Sequence, residues 1–401
     1  MVKRKLNSAR TTVVVGRLNG DTMIHRIKSN NIIADDKIIS GYVYFENGSI
    51  TYVGQDELPF DSQLDAGDNF VSAGFIDMHT HGGGGYSFDG TVEEIVNGAD
   101  FHLAHGTTSV LPTVSAAPID VMRTASKNIT DAIKLSKANI IGAHLEGPYL
   151  SPAQCGAQAS EFMTPPIPAD YKELIESDKY LIKRWSYAPE NDVNGDFCNY
   201  LTSHGVLASA GHTDAIYDDM KRAMANGCNL ITHFYSCTST VTRDHGFRRL
   251  GVIETGYLED DMYVEIIADG KHLPPDLIKL ILKVKGTDKV ALITDSLSIA
   301  GTDVKRGRMQ ATDYIIEDGV CKLCDRSAFA GSIATADRLI RVMVNDVGVD
   351  IKDAVKMLTK VPAELLKLNK GTLSKGYDAD IVVFDKDINI SNVFVNGKLV
   401  K

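Results

Sequence analysis

The chain has 401 residues, of which 44% are hydrophobic and 23% charged, and its formal net charge is -10. This composition excludes a collagen, a coiled coil and a disordered tail, and the length allows two or three domains or one large α/β barrel with an appendage. The acidic balance argues against nucleic acid or an anionic membrane surface as the main partner, because both favour an excess of Lys and Arg.

The apolar runs and the cysteines predict a cytoplasmic protein. No apolar run approaches the roughly 18 residues that a bilayer-spanning helix needs. Residues 1–10 are basic, but the apolar stretch at 13–15 is too short for a signal-peptide core, so we expect no export. The six cysteines form no disulfide framework and are expected to be reduced, with Cys321 and Cys324 as surface cysteines of a hairpin rather than a metal or redox site.

Both ends of the chain have the pattern of short β-strands separated by turns. The candidate strands are 11–15, 41–45, 49–53, 380–384, 392–395 and 398–400. Neither end alone has enough strands to bury a core. We therefore predict one small β-sandwich domain that is assembled from residues 1–70 and 371–401.

Between the two ends, short apolar runs alternate with amphipathic stretches, as they do in repeated βα units. The candidate strands are 70–77, 109–113, 140–145, 181–188, 206–210, 230–234, 262–268 and 290–294. Eight strands with helices between them predict a TIM (β/α)8 barrel over residues 71–370, although a doubly wound open sheet fits the same alternation.

Three of the predicted helices have clear boundary signals. Thr91 and Glu94 form a capping box ahead of an apolar stripe. A helix over residues 214–226 ends at a glycine, and two prolines open a helix over residues 274–285.

Side chains of the metal-ligand type cluster where five of the predicted strands end, namely His79, His81, His144, Glu146, His212, His233 and Asp295. The carboxyl ends of all strands meet on one face of a barrel, which favours the barrel over the open sheet. Residues i and i+2 of a strand point to the same side, so His79 and His81 can reach one point, as can His144 and Glu146. Each histidine taken alone could be a buried, hydrogen-bonded residue, but together they predict a site for Zn or Fe(II).

Asp295 follows the eighth predicted strand, where an Asp is also a frequent helix N-cap. An Asp that faces a metal site can take a proton from an attacking water and give it to a leaving nitrogen. We predict that Asp295 is the catalytic acid/base of a hydrolase.

These residues belong to longer motifs, which are GFIDMHTH at 74–81, HLEGP at 144–148, GHT at 211–213, IADGKH at 267–272, AGS at 330–332 and KGYDAD at 375–380. With these motifs the chain resembles the amidohydrolase superfamily, and within it the N-acetylglucosamine-6-phosphate deacetylases, over essentially its whole length. The resemblance implies a barrel of the metal-dependent hydrolase type. It also implies hydrolysis of the acetamide of N-acetylglucosamine 6-phosphate to glucosamine 6-phosphate and acetate.

The resemblance implies a divalent metal cofactor, Zn or else Fe. By its motifs, Glu146, His212 and His233 hold the main ion. His79 and His81 match a second-metal motif, so the resemblance implies one or two ions per subunit, with Glu146 bridging them.

The resemblance also implies a small phosphorylated amino sugar as substrate and a homodimer. Gln158 stands where many members have a substrate-binding His, and Ser236 and Cys237 stand where the family has Asn-Ala of an Asn-Ala-Met motif. His272 matches a His that reaches the sugar phosphate across a dimer interface.

Three arginines are candidates for the phosphate contact, because Arg pairs bidentately with phosphate. Arg243 lies close to the position of the family's phosphate-binding Arg, and Arg248 and Arg249 follow it. The alternative for this segment is a solvated basic loop.

Other functions stay open at this point. The chain could deacetylate N-acetylgalactosamine 6-phosphate or another N-acyl amino sugar. It could also be a cyclic amidase or deaminase, against which Glu146 in the HLEGP motif argues, or a sugar-phosphate sensor without turnover, against which Asp295 argues.

Overall fold

A computed structural model of the protein describes residues 10–13, 23–309 and 312–401. Of the strand predicted at 11–15, the residues up to 13 belong to Arg10–Val13, and the last two lie outside the described residues.

Strands from both ends of the chain form one continuous mixed sheet, which confirms that the two ends assemble together. Its strands are Arg10–Val13, His25–Ala34, Lys37–Glu46, Ser49–Gly54, Ser62–Asp65, Phe70–Ala73, Ile381–Phe384, Ile390–Val395 and Lys398–Leu399. The two ends meet where Phe70–Ala73 pairs antiparallel with Ile381–Phe384. The predicted β-sandwich is therefore a single hydrogen-bonded sheet with its own buried apolar cluster, which includes Ile27, Val43 and Ile381.

The middle of the chain forms a barrel of eight parallel strands. In chain order these barrel strands are Phe75–Thr80, Thr107–Val114, Ala143–Glu146, Ile182–Tyr187, Leu207–Ala210, Leu230–Ile231, Tyr263–Ile267 and Val290–Ile293. Each pairs in parallel with the next, and the N–H of Asp295 donates to the carbonyl of His79 at 2.9 Å where the eighth strand meets the first. The TIM barrel is confirmed and the open sheet is wrong.

The predicted strand at 70–77 is in fact two strands that belong to different sheets. Phe70–Ala73 joins the terminal sheet and Phe75–Thr80 joins the barrel. Gly74 lies at the break, where a Cβ would come within 2.1 Å of the Thr108 hydroxyl oxygen, so only glycine allows this close approach. An apolar run that crosses a domain boundary has no periodicity break to reveal it.

Helices cover the outside of the barrel. The α-helices are Val92–Leu103, Ile119–Ala132, Pro168–Ser177, Asp196–Ser203, Tyr217–Ala225, Val252–Leu258, Pro275–Lys285, Ala336–Val342, Ile351–Met357 and Lys360–Leu365. Shorter turns are Pro152–Gln154, Ser160–Phe162, Pro189–Asn191 and a π-helical turn at Met343–Val347. The capping box of Thr91 and Glu94 is confirmed, as is the helix opened by the two prolines. None of the helices in the described part of the chain has the length and apolar composition that a membrane crossing requires.

Smaller sheets lie in the loops that connect the barrel strands and helices. They comprise the pairs Gly82–Gly83 with Tyr86–Ser87 and Thr242–Asp244 with Phe247–Arg249, and a four-stranded antiparallel sheet of Arg306–Met309, Thr312–Glu317, Val320–Leu323 and Phe329–Gly331. A further short strand, Asn139–Ile140, belongs to the barrel sheet and pairs in parallel with the second barrel strand.

All six cysteines are free thiols in the structure. Cys321 and Cys324 lie in and beside an antiparallel hairpin, as predicted, but the prediction that both are at the surface is wrong for Cys321. That residue is fully buried against Leu297, Tyr314 and Ala330, and burial raises the pKa of its thiol to about 12.

Candidate active site

Three predicted ligand residues meet at the carboxyl ends of the third, fifth and sixth barrel strands. Glu146 Oε1 lies 3.1 Å from His212 Nε2 and 3.1 Å from His233 Nε2, and the two imidazole nitrogens are 3.0 Å apart. Ligand atoms around a tetrahedral Zn at about 2.0–2.1 Å are about 3.3 Å from one another. The spacing of these three atoms therefore fits a single ion. Glu146, His212 and His233 are called the main group below.

A second group, formed by His79, His81 and Asp295, lies beside the main group. Asp295 Oδ1 is 3.5 Å from His79 Nε2 and 3.3 Å from His81 Nε2. Glu146 faces both groups, because its Oε1 is 3.4 Å from His79 Nε2 and its Oε2 is 3.3 Å from His81 Nε2. Within residues 10–13, 23–309 and 312–401, the buried His79 Nε2 has no hydrogen-bond partner, as expected of a nitrogen that binds a cation.

The other ring nitrogen of all four histidines is bound to an oxygen. The Nδ1 partners are Glu265 Oε1 for His79 at 2.9 Å, Ser115 Oγ for His81 at 3.1 Å, Gln154 O for His212 at 2.8 Å and Ser236 O for His233 at 3.0 Å. Such partners fix the tautomer and leave Nε2 free to bind an ion. The donor set and its supports both fit a divalent metal.

The backbone at three of these residues is left-handed. The φ angles are 46° at His212, 28° at His233 and 47° at Asp295. Non-glycine residues in this region cost about 1–3 kcal/mol each and cluster at functional sites. Here the turns let side chains at strand ends point into the same cavity.

The charges of the two groups depend on one another. Burial lowers the pKa values of His79 and His81, but the carboxylates of Glu146 and Asp295 outweigh it and raise these values to about 9 and about 10. Burial raises the pKa of Asp295, yet His79 and His81 hold it below its usual range. Burial also raises the pKa of Glu146, but His79, His212 and His233 hold it well below its usual range. Both carboxylates are therefore ionised, and the two histidines carry protons that a cation would displace.

A cavity of about 290 Å³ opens over both groups. It has the size of a small-ligand site, for which volumes start near 300 Å³. The predicted site residues that line it are His81, Glu146, Gln158, His212, His233, Ser236, Cys237, His272 and Asp295, while the fully buried His79 lies beneath them.

Gln158 and His272 are held in the cavity by buried partners. Gln158 Nε2 donates to Glu146 Oε2 at 2.8 Å, and its Oε1 accepts from the N–H of Ala116 at 2.8 Å. His272 Nδ1 is 2.9 Å from Asp269 Oδ2, and Phe329 packs against its ring. In this chain His272 lines the cavity, and its predicted reach to the sugar phosphate across a dimer interface stays a prediction.

The three candidate arginines do not line this cavity. Arg243, Arg248 and Arg249 lie on the hairpin of Thr242–Asp244 and Phe247–Arg249, where Arg248 and Arg249 are exposed and Arg249 pairs with Asp244. Among the cavity-lining residues that the structure describes there is no Arg or Lys. The contact of Arg243, Arg248 and Arg249 with a phosphate stays a prediction.

His144 differs from its sequence interpretation. It shares a strand face with Glu146 but lies one layer deeper, where Nδ1 is 3.1 Å from Thr113 Oγ1 and Nε2 is 2.8 Å from Ser186 Oγ. Burial, together with the nearby Arg184, lowers the pKa of His144 well below its usual value. It is a neutral residue of the barrel interior and not part of either group.

Sequence reasoning missed Arg184 and Glu265, which support the site from inside the barrel. Both are fully buried, and Glu265 contacts His79. A signal was present, because a charged residue in the middle of an apolar strand such as Tyr263–Ile267 needs a buried partner.

Comparisons with known proteins find similar sequences over most of the chain. The model of the amidohydrolase family matches residues 70–400. An N-acetylgalactosamine-6-phosphate deacetylase of Shewanella sp. (strain ANA-3) is 30% identical over 338 residues, which are 82% of either chain. An N-acetylglucosamine-6-phosphate deacetylase of Bacillus subtilis (strain 168) is 29% identical over 386 residues, covering 93% of this chain and 96% of the relative.

Solved structures are similar over the same extent. A mutant N-acetyl-D-glucosamine-6-phosphate deacetylase of Mycobacterium smegmatis, in complex with N-acetyl-D-glucosamine-6-phosphate, superposes with a TM-score of 0.87 at 26% identity. The match covers 95% of this chain and 100% of that one. The N-acetylglucosamine-6-phosphate deacetylase of Pasteurella multocida also matches with a TM-score of 0.87 at 26% identity, over 94% of this chain and 99% of that one.

Proposed function

We propose, from the premise that the chain belongs to the amidohydrolase family, that it hydrolyses the acetamide of N-acetylglucosamine 6-phosphate in amino-sugar catabolism. The products are glucosamine 6-phosphate and acetate. The observation that carries the proposal is that five of the six residues of the two ligand groups, including Asp295, line one cavity of about 290 Å³. Relatives with this activity in their names, such as the Bacillus subtilis enzyme, support the choice of substrate.

Zn is the proposed cofactor, with Fe as the alternative. Glu146, His212 and His233 would hold the main ion, and His79, His81 and Asp295 a second one. When bound, a divalent ion supplies Lewis-acid polarisation of the amide carbonyl and acidifies the attacking water.

Asp295 is the proposed acid/base. It is ionised in the structure, so it can accept a proton from the attacking water and then give it to the departing sugar nitrogen. Gln158 holds Glu146 in place through its amide, while Ser236, Cys237 and His272 line the cavity and are the proposed contacts of the sugar or its phosphate.

The phosphate contact of Arg243, Arg248 and Arg249 belongs to the same proposal. A phosphate dianion needs cationic donors, and the hairpin that carries these arginines follows the sixth barrel strand closely. We propose that the enzyme is a cytoplasmic homodimer.

N-acetylgalactosamine 6-phosphate is the second candidate substrate. The Shewanella relative is named for that activity, and Ser236 and Cys237 replace the family's usual sugar-contacting motif. The two sugars differ only in the configuration of one hydroxyl.

Acetate release tests the proposal. The purified protein is assayed with the 6-phosphates of N-acetylglucosamine, N-acetylgalactosamine and N-acetylmannosamine, and with the three unphosphorylated sugars. The highest kcat/KM is expected for N-acetylglucosamine 6-phosphate. Equal kcat/KM values for the phosphorylated and unphosphorylated sugars would exclude the phosphate contact. A higher kcat/KM for N-acetylgalactosamine 6-phosphate would favour the second candidate.

A further inference from the structure

A buried ion pair lies inside the barrel below the candidate active site. Arg184 is on the fourth barrel strand and Glu265 on the seventh, and both side chains have no exposed surface. The pair is bidentate, with Arg184 Nη1 2.6 Å from Glu265 Oε2 and Nη2 2.8 Å from Glu265 Oε1.

One oxygen of this pair touches both ligand groups. Glu265 Oε1 accepts from His79 Nδ1 at 2.9 Å and from the backbone N–H of His233 at 3.1 Å. His79 belongs to the second group and His233 to the main group. A single carboxylate oxygen therefore connects two ligands that are distant in sequence.

The two contacts have different effects. The bond to His79 Nδ1 fixes the ring so that Nε2 points at Glu146 and Asp295. The bond to the N–H of His233 stabilises an unfavourable backbone conformation. The φ of His233 is 28°, in the left-handed region, which persists only where surrounding contacts hold it.

Stability alone is a weak reason for such a pair. Replacing a buried ion pair by apolar residues of similar volume is often neutral or stabilising, because desolvation of the two charges offsets their attraction. Arg184 is also bonded to Ser209 Oγ at 3.1 Å and Thr232 Oγ1 at 2.9 Å, so its charge is held in one position. The arginine thus keeps Glu265 ionised and fixed where the histidines need an acceptor.

We infer that Glu265, held by Arg184, is a positioning residue shared by both ligand groups, and that it sets the affinity of the protein for its divalent ions. The inference rests on the proposed metal-dependent function. Glu265 differs in this respect from the residues that support His81. Their hydrogen bonds run from His81 through Ser115 Oγ to Asp89 Oδ2 and reach the second group only.

The test measures divalent metal per subunit and its affinity, by elemental analysis after dialysis and by competition of Zn²⁺ with a chelating dye. Glu265→Gln keeps the shape of the side chain and removes its charge. We expect it to bind ions about 10–100-fold more weakly than the wild type and to lose about one equivalent on dialysis. Ser209→Ala is the matched control, since it removes a hydrogen bond to Arg184 in the same network and is expected to keep wild-type metal content.

A double variant separates positioning from folding, because Glu265→Gln alone leaves Arg184 without its counter-charge. Arg184→Met with Glu265→Leu replaces the pair by apolar side chains, and its melting temperature as metal-free protein shows whether it folds. It is expected to fold with a melting temperature below the wild-type value, because His79 Nδ1 and the N–H of His233 lose their acceptor. It is nevertheless expected to bind metal as weakly as Glu265→Gln. Wild-type affinity in the folded double variant would overturn the inference and leave the proposed function intact, whereas a wild-type protein that binds no divalent ion would overturn both.

Discussion

At the scale of single residues, the candidate centre depends on which ring nitrogen of each histidine is left free. Nδ1 of His79, His81, His212 and His233 is bound to an oxygen, so Nε2 is the atom that faces Glu146. Carboxylates of Glu146 and Asp295 complete a donor set that suits Zn or Fe(II).

Asp295→Asn removes the proposed acid/base while keeping the size of the side chain. We expect kcat for acetate release to fall by about 10²–10⁴-fold, because an amide cannot carry a proton from water to the leaving nitrogen. Asp276→Asn, at an exposed carboxylate on the helix Pro275–Lys285, is the control and should leave kcat unchanged. Unchanged acetate release by Asp295→Asn would exclude the proposed mechanism.

Metal binding is expected to release protons and to strengthen as the pH rises. In the metal-free protein the pKa of His79 is raised to about 9 and that of His81 to about 10, so both are protonated at neutral pH. A cation must displace these protons, and each one displaced makes affinity rise by about tenfold per pH unit below the pKa. Calorimetry of Zn²⁺ binding between pH 6 and 8, in buffers of different ionisation enthalpy, measures this directly. An affinity that does not change with pH would contradict the arrangement.

At the scale of elements, the loops after the barrel strands carry the chemistry and the strands hold them. The third strand ends at Glu146, and Trp185 on the fourth strand donates from Nε1 to the carbonyl of Gly147, the first loop residue, at 2.8 Å. Trp185 is fully buried and stacks on Tyr149. The position of Glu146 is thereby tied to the interior of the barrel.

Trp185→Phe is expected to lower the free energy of unfolding by about 1–3 kcal/mol, because the Gly147 carbonyl loses its donor in a buried place. Urea unfolding measures the loss. Tyr180→Phe, at an exposed aromatic position, is the control and should stay near the wild-type value. A Trp185→Phe protein as stable as the wild type would show that the loop does not depend on this bond.

The hairpin of Thr242–Asp244 and Phe247–Arg249 is the proposed source of positive charge for the substrate phosphate. Replacing Arg243, Arg248 and Arg249 together by Ala is expected to raise KM for the phosphorylated sugar about tenfold or more, since each charge-assisted hydrogen bond contributes about 1.5–3 kcal/mol. KM for the unphosphorylated sugar should not change. Arg123→Ala, on the helix Ile119–Ala132, is a control for loss of positive charge elsewhere. An equal KM effect on both sugars would contradict a phosphate contact.

At the scale of the whole molecule, the sequence predicts the parts whose signals are local. Eight apolar runs and the residues that follow them are enough to predict the barrel. They are also enough to predict that His79, His81, Glu146 and Asp295 lie on one face of it. Parallel strands that are buried on both faces have near-continuous apolar sequences, which makes them easy to find.

Contacts between residues far apart in the chain were not predictable in the same way. Glu265 supports His79 from 186 positions away, and nothing near either residue indicates the other. The depth of His144 in the barrel and the burial of Cys321 depend on packing against other elements. At Gly74 the chain passes from the terminal sheet to the barrel, and the apolar run around it gives no local signal of this boundary.

The central claim is that the protein releases acetate from a phosphorylated amino sugar with the help of an ion that Glu146, His212 and His233 would hold. The most direct measurement is the rate of acetate release from N-acetylglucosamine 6-phosphate before chelation, after chelation and after addition of Zn²⁺. We predict equal amounts of acetate and glucosamine 6-phosphate, loss of the activity with the metal, and its return with Zn²⁺. Release that is unaffected by removal of all metal, or no release by protein that holds its ions, would contradict the account.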